Sequence, residues 1–394
     1  MIRVPVLAAT AALFLTQTAA GDPSSRVVAL LRQRVDQAGI VGASLMFMKN
    51  GAVTTKAFAG YQDLATKRPV DEETIYHWAS ITKTLTGVAI MQLRDRGLFT
   101  LDDPAVKYVP ELRLVHNPFG DISQVTIRQL MSHSAGLRAA TWPWGGDQPW
   151  HPFEPTRWDQ VVAMFPYTEI LFRPGTKYSY SNPGVILLGR IIELFSGDDY
   201  EVYITKNIFM PLGMTRSFFD RAPYYLVAHR SHSYLRNDEG LKEQRFDFDT
   251  GITVSNGGLN APLGDMTKWL AFLIDGNETI LKRSSLEEMS TPQIRANDGE
   301  GGSGQDVQAG LSCFIERHPS PASPGGTIEL VGHSGDQNGF ISHLYVHRPT
   351  RSGYVVSFNT DATSSRNPDK TTRAADDALR DAVIRELIQP AGVR

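Results

Sequence analysis

The sequence predicts an α+β fold: an antiparallel sheet built from N- and C-terminal segments and flanked by helices, with an all-helical domain inserted between them. Three observations carry this. β-rich apolar runs cluster near the two ends of the chain, at 41–61 and 309–359. Helical periodicity dominates the middle. No internal repeat and no clean linker divides the 394 residues into independent domains. The expected division is a sheet part at about 21–80 and 250–394 and a helical part at about 81–249.

Met1 to Ala20 reads as a secretory signal peptide. Arg3 supplies the positive start, and Val4 to Leu15 is an apolar core too short to span a bilayer comfortably. Thr18-Ala19-Ala20 is a small-residue cleavage pattern, so the mature domain is expected to run from Gly21 to Arg394. No later stretch is apolar enough to cross a membrane. The expected location is therefore exported, periplasmic or secreted, with no stable membrane anchor after cleavage. A net charge of −3 and the lack of a basic stripe argue against nucleic acid as a partner. The single cysteine, Cys313, excludes a disulfide within the chain and reads as a small buried apolar residue.

Ser24 to Ala38 has helical spacing of Val27, Val28, Leu31 and Val35. Val41 to Met48 reads as a strand, Lys49-Asn50-Gly51 as a hairpin turn, and Ala52 to Tyr61 as the partner strand. A helix follows over Leu85 to Arg96. Thr126 to Ser132 is a short helix. Four of the six tryptophans then fall between Trp142 and Trp158, where they either plug a loop onto the body or wall a binding cleft. Pro183 to Phe195, with Pro at its start and Gly197 near its end, is a strongly amphipathic helix. Further helices are expected over Tyr200 to Met210, Leu263 to Ile274 and Ala374 to Ile388, and a flexible loop over Gly299 to Gly304. Ala309 to Ile315, Thr327 to Val331, Phe340 to Val346 and Gly353 to Asn359 read as strands spaced for antiparallel pairing.

The chemistry centres on Ser80-x-x-Lys83, just before the Leu85 helix. If the helix begins at Ser80, both side chains share one face. A serine at a helix start sits among unpaired N–H groups, which suits a nucleophile whose attack creates an oxyanion. A lysine one turn on can act on the hydroxyl proton. Alone, the tetrapeptide is equally an N-capping serine followed by a solvated lysine. Two further stretches support the chemical reading. Tyr180 of Tyr180-Ser181-Asn182 is a candidate general base, since a phenol beside an ammonium ionises more readily. Asn182 would point to the same side in an extended segment, there to orient the lysine and bind a substrate carbonyl. In Gly332-His333-Ser334-Gly335-Asp336, at the end of a β-run, Gly335 permits close approach of a ligand. The N–H of Asp336 could join that of Ser80 in an oxyanion hole, and His333 would lend the pocket positive or polar character. A tight turn between strands is the plain alternative. Gly332-His333-Ser334-Gly335 also imitates a nucleophile elbow, but its fifth position is Asp336 and no parallel-sheet pattern surrounds it.

In this order and separation, Ser80-x-x-Lys83, Tyr180-Ser181-Asn182 and His333-Ser334-Gly335 resemble the three motifs of the penicillin-recognising serine hydrolases. The tyrosine of the second motif resembles the branch holding class C β-lactamases, serine D-Ala-D-Ala carboxypeptidases, D-aminopeptidases and β-lactamase-like esterases. Leu130-Met131-Ser132-His133-Ser134-Ala135-Gly136-Leu137 is similar to a further family segment, departing at Met131 and Ala135; Phe172-Arg173-Pro174-Gly175, Pro211-Leu212-Gly213-Met214 and Gly257-Gly258-Leu259 are similar to others. The resemblance spans roughly Val41 to Phe358. It implies a β-lactamase/transpeptidase-like fold and an acyl-enzyme mechanism with no cofactor and no metal. It also implies catalytic roles for Ser80, Lys83 and Tyr180, with the base either of the last two. Asn182, His333, Ser334, Gly335 and Asp336 would lie on the substrate side. A class C β-lactamase would carry Lys-Thr-Gly where this chain has His333-Ser334-Gly335. Histidine is a weaker, pH-dependent cation, and Asp336 would repel an anionic substrate if it faced the pocket. Both departures favour an esterase or D-amino-acid peptidase acting on a small molecule or peptide. The alternatives are a class C-like β-lactamase, and a penicillin-binding sensor or scaffold with slow or no turnover. The sequence leaves the oligomeric state open.

Overall fold

A computed structural model describes residues 22–138, 155–244, 249–296, 306–320 and 323–388. The expected signal peptide, Trp142, Trp144, Trp150 and the expected loop over Gly299 to Gly304 lie outside the described residues. Helix α1 (Pro23–Ala38) is capped by Asp22 and stopped by Gly39 in the left-handed conformation. The strands that follow are β1 (Gly42–Lys49), β2 (Ala52–Asp63), β3 (Arg68–Pro69) and β4 (Ile75–His77). Helices α2 (Thr82–Asp95) and α3 (Ile127–Met131) open the inserted region, a further helix spans Asn182–Ser196, and a helix at Leu263–Asp275 follows the insert. The insert also holds β5 (Phe218–Phe219), β6 (Ser233–Asn237) and β7 (Gly240–Gln244), and then comes β8 (Leu259–Pro262). The C-terminal part holds β9 (Ile294–Arg295), β10 (Asp306–Ala309), β11 (Phe314–Pro319), β12 (Thr327–Gln337), β13 (Phe340–His347), β14 (Ser352–Phe358) and β15 (Thr360–Ala362), and a helix at Thr372–Val383.

The main sheet is antiparallel, in the order β3-β2-β1-β14-β13-β12-β11-β10-β9. As the sequence predicts, N-terminal β1 pairs directly with C-terminal β14, Leu45 opposite Val356. The reason is burial on both faces. In β1, Leu45 and Phe47 join the core under α1 and the Thr372–Val383 helix, whereas Met46 and Met48 join the core that holds α2 and the Leu263–Asp275 helix. A strand covered on both sides reads as a continuous apolar run, and each such side chain contributes roughly 1.5–3 kcal/mol. The β1–β2 turn places Asn50 and Gly51 at φ 51° and 78°, the conformation a two-residue hairpin requires.

Two local expectations change. Ala309 to Ile315 is not one strand: β10 ends at Ala309 and β11 begins at Phe314, with Ser312 between them at φ 59°. The Gly310 N–H closes that turn onto the Cys313 carbonyl at 2.8 Å. Leu311 and Cys313 are buried within it and so imitate a strand. The segment expected to be helical also carries the β6–β7 hairpin, and β6 pairs in parallel with β15. That pairing ties the insert to the C-terminal part.

Candidate active site

Ser80 sits at a corner built by the sheet strands rather than by its own helix. Trp78 is fully buried, its N–H donates to the Leu259 carbonyl at 2.8 Å, and its indole N–H donates to the Ala261 carbonyl at 2.8 Å. Ala79 then turns through φ 46°. A side chain in this region costs about 1–2 kcal/mol, and contacts over-determine it here. The Thr82 hydroxyl donates to the Ala79 carbonyl at 2.6 Å while accepting the Leu259 N–H at 3.1 Å. Ser80 lies in the single 3₁₀ turn Ala79–Ile81, and the α-helix begins at Thr82. Behind the corner runs β12. A Cβ on Gly335 would lie 2.2 Å from the Trp78 carbonyl oxygen, so only glycine lets the strand approach the turn this closely.

Lys83 is fully buried. Its ammonium donates to Ser80 Oγ at 3.0 Å and to the Asn256 carbonyl at 2.8 Å. The Tyr180 hydroxyl donates to Ser80 Oγ at 2.8 Å, and Lys83 Nζ lies 4.8 Å from the Tyr180 ring centroid. Three residues from two distant stretches thus converge on one oxygen. With both neighbours donating, Ser80 Oγ accepts twice. Moving the serine proton then requires Tyr180 as phenolate or Lys83 as free amine, each one hydrogen bond away.

Asn182 differs from its expected geometry. Ser181 ends the extended stretch as an N-cap, its hydroxyl accepting the Gly184 N–H at 3.0 Å, and Asn182 is the first helical residue. Its amide oxygen is buried and has no hydrogen-bond partner among the described residues, so it does not hold the lysine.

His333 requires a correction. It is only 2% exposed, and its Nδ1–H donates to the Ser334 carbonyl at 2.6 Å. Burial, reinforced by the Lys83 ammonium, pushes its pKa down to about 3. The imidazole is neutral at physiological pH rather than a pH-dependent cation. Its Nε2 is an acceptor, buried with no partner among the described residues. The expected repulsion from Asp336 also falls away. Its carboxylate pairs with Arg373 of the C-terminal helix. By strand alternation Ser334 lies on the Asp336 side of β12, while His333 and Gly335 lie on the Ser80 side.

Sequence reasoning missed three neighbours of the Ser80, Lys83 and Tyr180 cluster. The Asn256 carbonyl receives Lys83, the Phe314 ring stacks on Tyr180 at 6.4 Å, and the His133 ring lies 4.5 Å from that of Tyr180. His133 stood inside the Leu130 to Leu137 segment, which was the available signal. Of the tryptophan loop, Trp158 acts as a plug. Its indole donates to Glu111 at 3.2 Å and its ring packs on Phe165 and under Arg190.

Comparison with known proteins adds to this geometry. A family model described as "Beta-lactamase" matches residues 27–379. Protein flp of Staphylococcus aureus is 26% identical over 341 residues, covering 86% of this chain and 64% of flp. The chain therefore spans less than two thirds of that relative. The octameric penicillin-binding protein homologue from Pyrococcus abyssi superposes with a TM-score of 0.74 at 28% identity, covering 92% of this chain and 77% of that one. D-amino acid amidase from Ochrobactrum anthropi SV3, complexed with D-phenylalanine, superposes with a TM-score of 0.77 at 22% identity. The match covers 94% of this chain and all of that one, and it carries the fold alone.

Proposed function

The chain belongs to the beta-lactamase family, and on that premise we propose that it is an exported serine hydrolase of esterase or D-amino-acid amidase and peptidase type. The observation that carries the proposal is the pair of hydrogen bonds from Lys83 and Tyr180 onto Ser80 Oγ. In the first half-reaction Ser80 Oγ bonds to the substrate carbonyl carbon as its proton passes to Tyr180 or Lys83. The N–H groups of Ser80 and Asp336 bind the oxyanion. The carbonyl re-forms, the bond to the alcohol or amine breaks, and the leaving group departs with that proton. Water then repeats the sequence and frees Ser80.

Substrate choice rests on His333 and Asn182. Two buried acceptors, Asn182 Oδ1 and His333 Nε2, have no partners among the described residues, and this suits a substrate bearing N–H or O–H donors. A β-lactam presents a carboxylate, for which a neutral imidazole is a poor partner, so the class C-like alternative is the weaker reading. An inactive scaffold has no need of the Ser80, Lys83 and Tyr180 arrangement, whereas a sensor that is acylated does and would differ in slow turnover.

The test is a panel of p-nitrophenyl esters, D-amino-acid amides and nitrocefin, read beside intact mass. Ester or amide turnover and a fluorophosphonate adduct on Ser80 are expected. An unmodified Ser80 with no turnover of any substrate would sink the enzyme reading. Export rests on the Met1 to Ala20 pattern. A periplasmic or secreted product beginning at Gly21 is expected, and retention of Met1 in an intracellular product would refute it.

A further inference from the structure

Tyr180 is held from behind by one residue that the reaction scheme leaves idle. His133 follows α3 at φ 55°, and its carbonyl accepts the Ser179 N–H at 2.8 Å. Its Nδ1 accepts the Ser181 N–H at 3.1 Å. The residues on either side of Tyr180 are thus both tied to His133. Between these two bonds the imidazole lies against the phenol, centroids 4.5 Å apart and planes 33° apart. The histidine is itself clamped, because the neighbouring Ser134 N–H donates to the Gln129 carbonyl at 2.9 Å and the Ser134 carbonyl accepts the Gly175 N–H at 2.8 Å.

We infer that His133 is a positioning residue, whose unprotonated Nδ1 and ring face fix the Tyr180 phenol at hydrogen-bond distance from Ser80. An acceptor facing an N–H cannot also carry a proton there, so the ring is neutral and any proton sits on Nε2. Burial and the nearby Lys83 ammonium keep it neutral. A cation at this place would eject the Ser181 N–H and free the segment that carries Tyr180. The inference rests on the proposed role of Tyr180 as a proton carrier, and it assigns His133 no contact with substrate.

The test uses hydrolysis of p-nitrophenyl butyrate by the purified chain and four variants. His133→Phe keeps a ring but removes the acceptor, and kcat is expected to fall about 10²-fold with KM little changed, as for a displaced catalytic group. His133→Asn places an amide oxygen where Nδ1 was, and is expected to restore most of kcat. In a Tyr180→Phe background, His133→Phe is expected to cost nothing further, because its effect passes through the phenol. Thermal unfolding checks that each variant is folded. If His133→Phe does not fold, His133→Gln, whose amide oxygen lies one bond too far, replaces it. Equal losses in the Phe and Asn variants would overturn the inference, as would losses that multiply in the double variant. A slow Tyr180→Phe beside a fast His133→Phe would overturn it while leaving the Tyr180 reading intact. A Tyr180→Phe chain as fast as the wild type would instead overturn the Tyr180 reading, and the inference with it.

Discussion

Lowering the pH from 7.5 to 4.5 strikes the Ser80 corner directly. Two histidines beside it are buried and neutral: His77, whose pKa burial brings down to about 4, and His333, brought down to about 3. Unfolded, each takes up a proton near 6.5. Between these values the unfolded chain binds more protons than the folded one, so stability is complete above 6.5 and falls as the pH falls. At pH 4.5 each histidine has cost about 2.5 kcal/mol, and the pair roughly 5, from two pH units at about 1.36 kcal/mol each. That is a large part of the 5–15 kcal/mol expected of a folded domain. His133, held neutral by burial, acts in the same sense. Glu201, which burial pushes up to about 7, acts oppositely within this window, as do the raised carboxyls of Asp220 and Asp336 and the His343 imidazole held up by Asp376, so the net slope is smaller than the histidine pair alone would give. Urea unfolding at pH 7.5, 6.5, 5.5 and 4.5, followed by far-UV circular dichroism, measures the slope. His333→Gln is expected to remove about half of the slope from the pair. A slope that His333→Gln leaves unchanged would mean that the folded chain carries a charged His333 imidazole. A charged His333 would in turn accept a substrate carboxylate.

Ser80→Ala is expected to abolish both turnover and the fluorophosphonate adduct, read by intact mass. Tyr180→Phe is expected to lower kcat by about 10²–10⁴-fold, the loss for a general acid–base group; an unchanged rate would move the base role to Lys83. Gly335→Ala forces a methyl against the Trp78 carbonyl. It should cost about 1–3 kcal/mol of stability and lower kcat as well, since β12 and the Ser80 turn must part; wild-type kinetics and thermal midpoint would refute that contact. Burial pushes the Cys313 thiol up to about 12, so a disulfide reagent should label it only after unfolding, and rapid labelling of the native chain would contradict its placement.

The fold was legible where burial leaves a pattern. Two-sided burial wrote the apolar runs of β1, β13 and β14, and the Asn50-Gly51 turn announced its hairpin through the φ values it needs. The β6–β7 hairpin stayed hidden because its strands are largely polar and exposed, so no alternation marks them. The turn between β10 and β11 misled for the converse reason, since Leu311 and Cys313 are buried without being strand. At the site, residue types were readable because the proposed proton transfer needs a hydroxyl, an amine and a phenol. Their surroundings were not. Whether His333 is charged depends on the enclosure made by Phe314, Tyr180 and Lys83, none near it in sequence.

That dependence explains why Ser80-x-x-Lys83 says so little alone. The serine's place is set by Trp78, which hangs from β8 by its main chain and its indole and touches β12 at Gly335. The lysine is held by the Asn256 carbonyl, just before the same strand. Tyr180 arrives at the head of the Asn182–Ser196 helix, backed by His133. Each proton-handling group is thus fixed by an element other than the one that carries it. In the proposed reaction the bonds on Ser80 Oγ carry the chemistry, while His333 and Asn182 select what is acylated by offering acceptors where a carboxylate would need a cation. Changes confined to those two acceptors should therefore alter which substrates are used while leaving reaction of Ser80 with a small fluorophosphonate nearly intact.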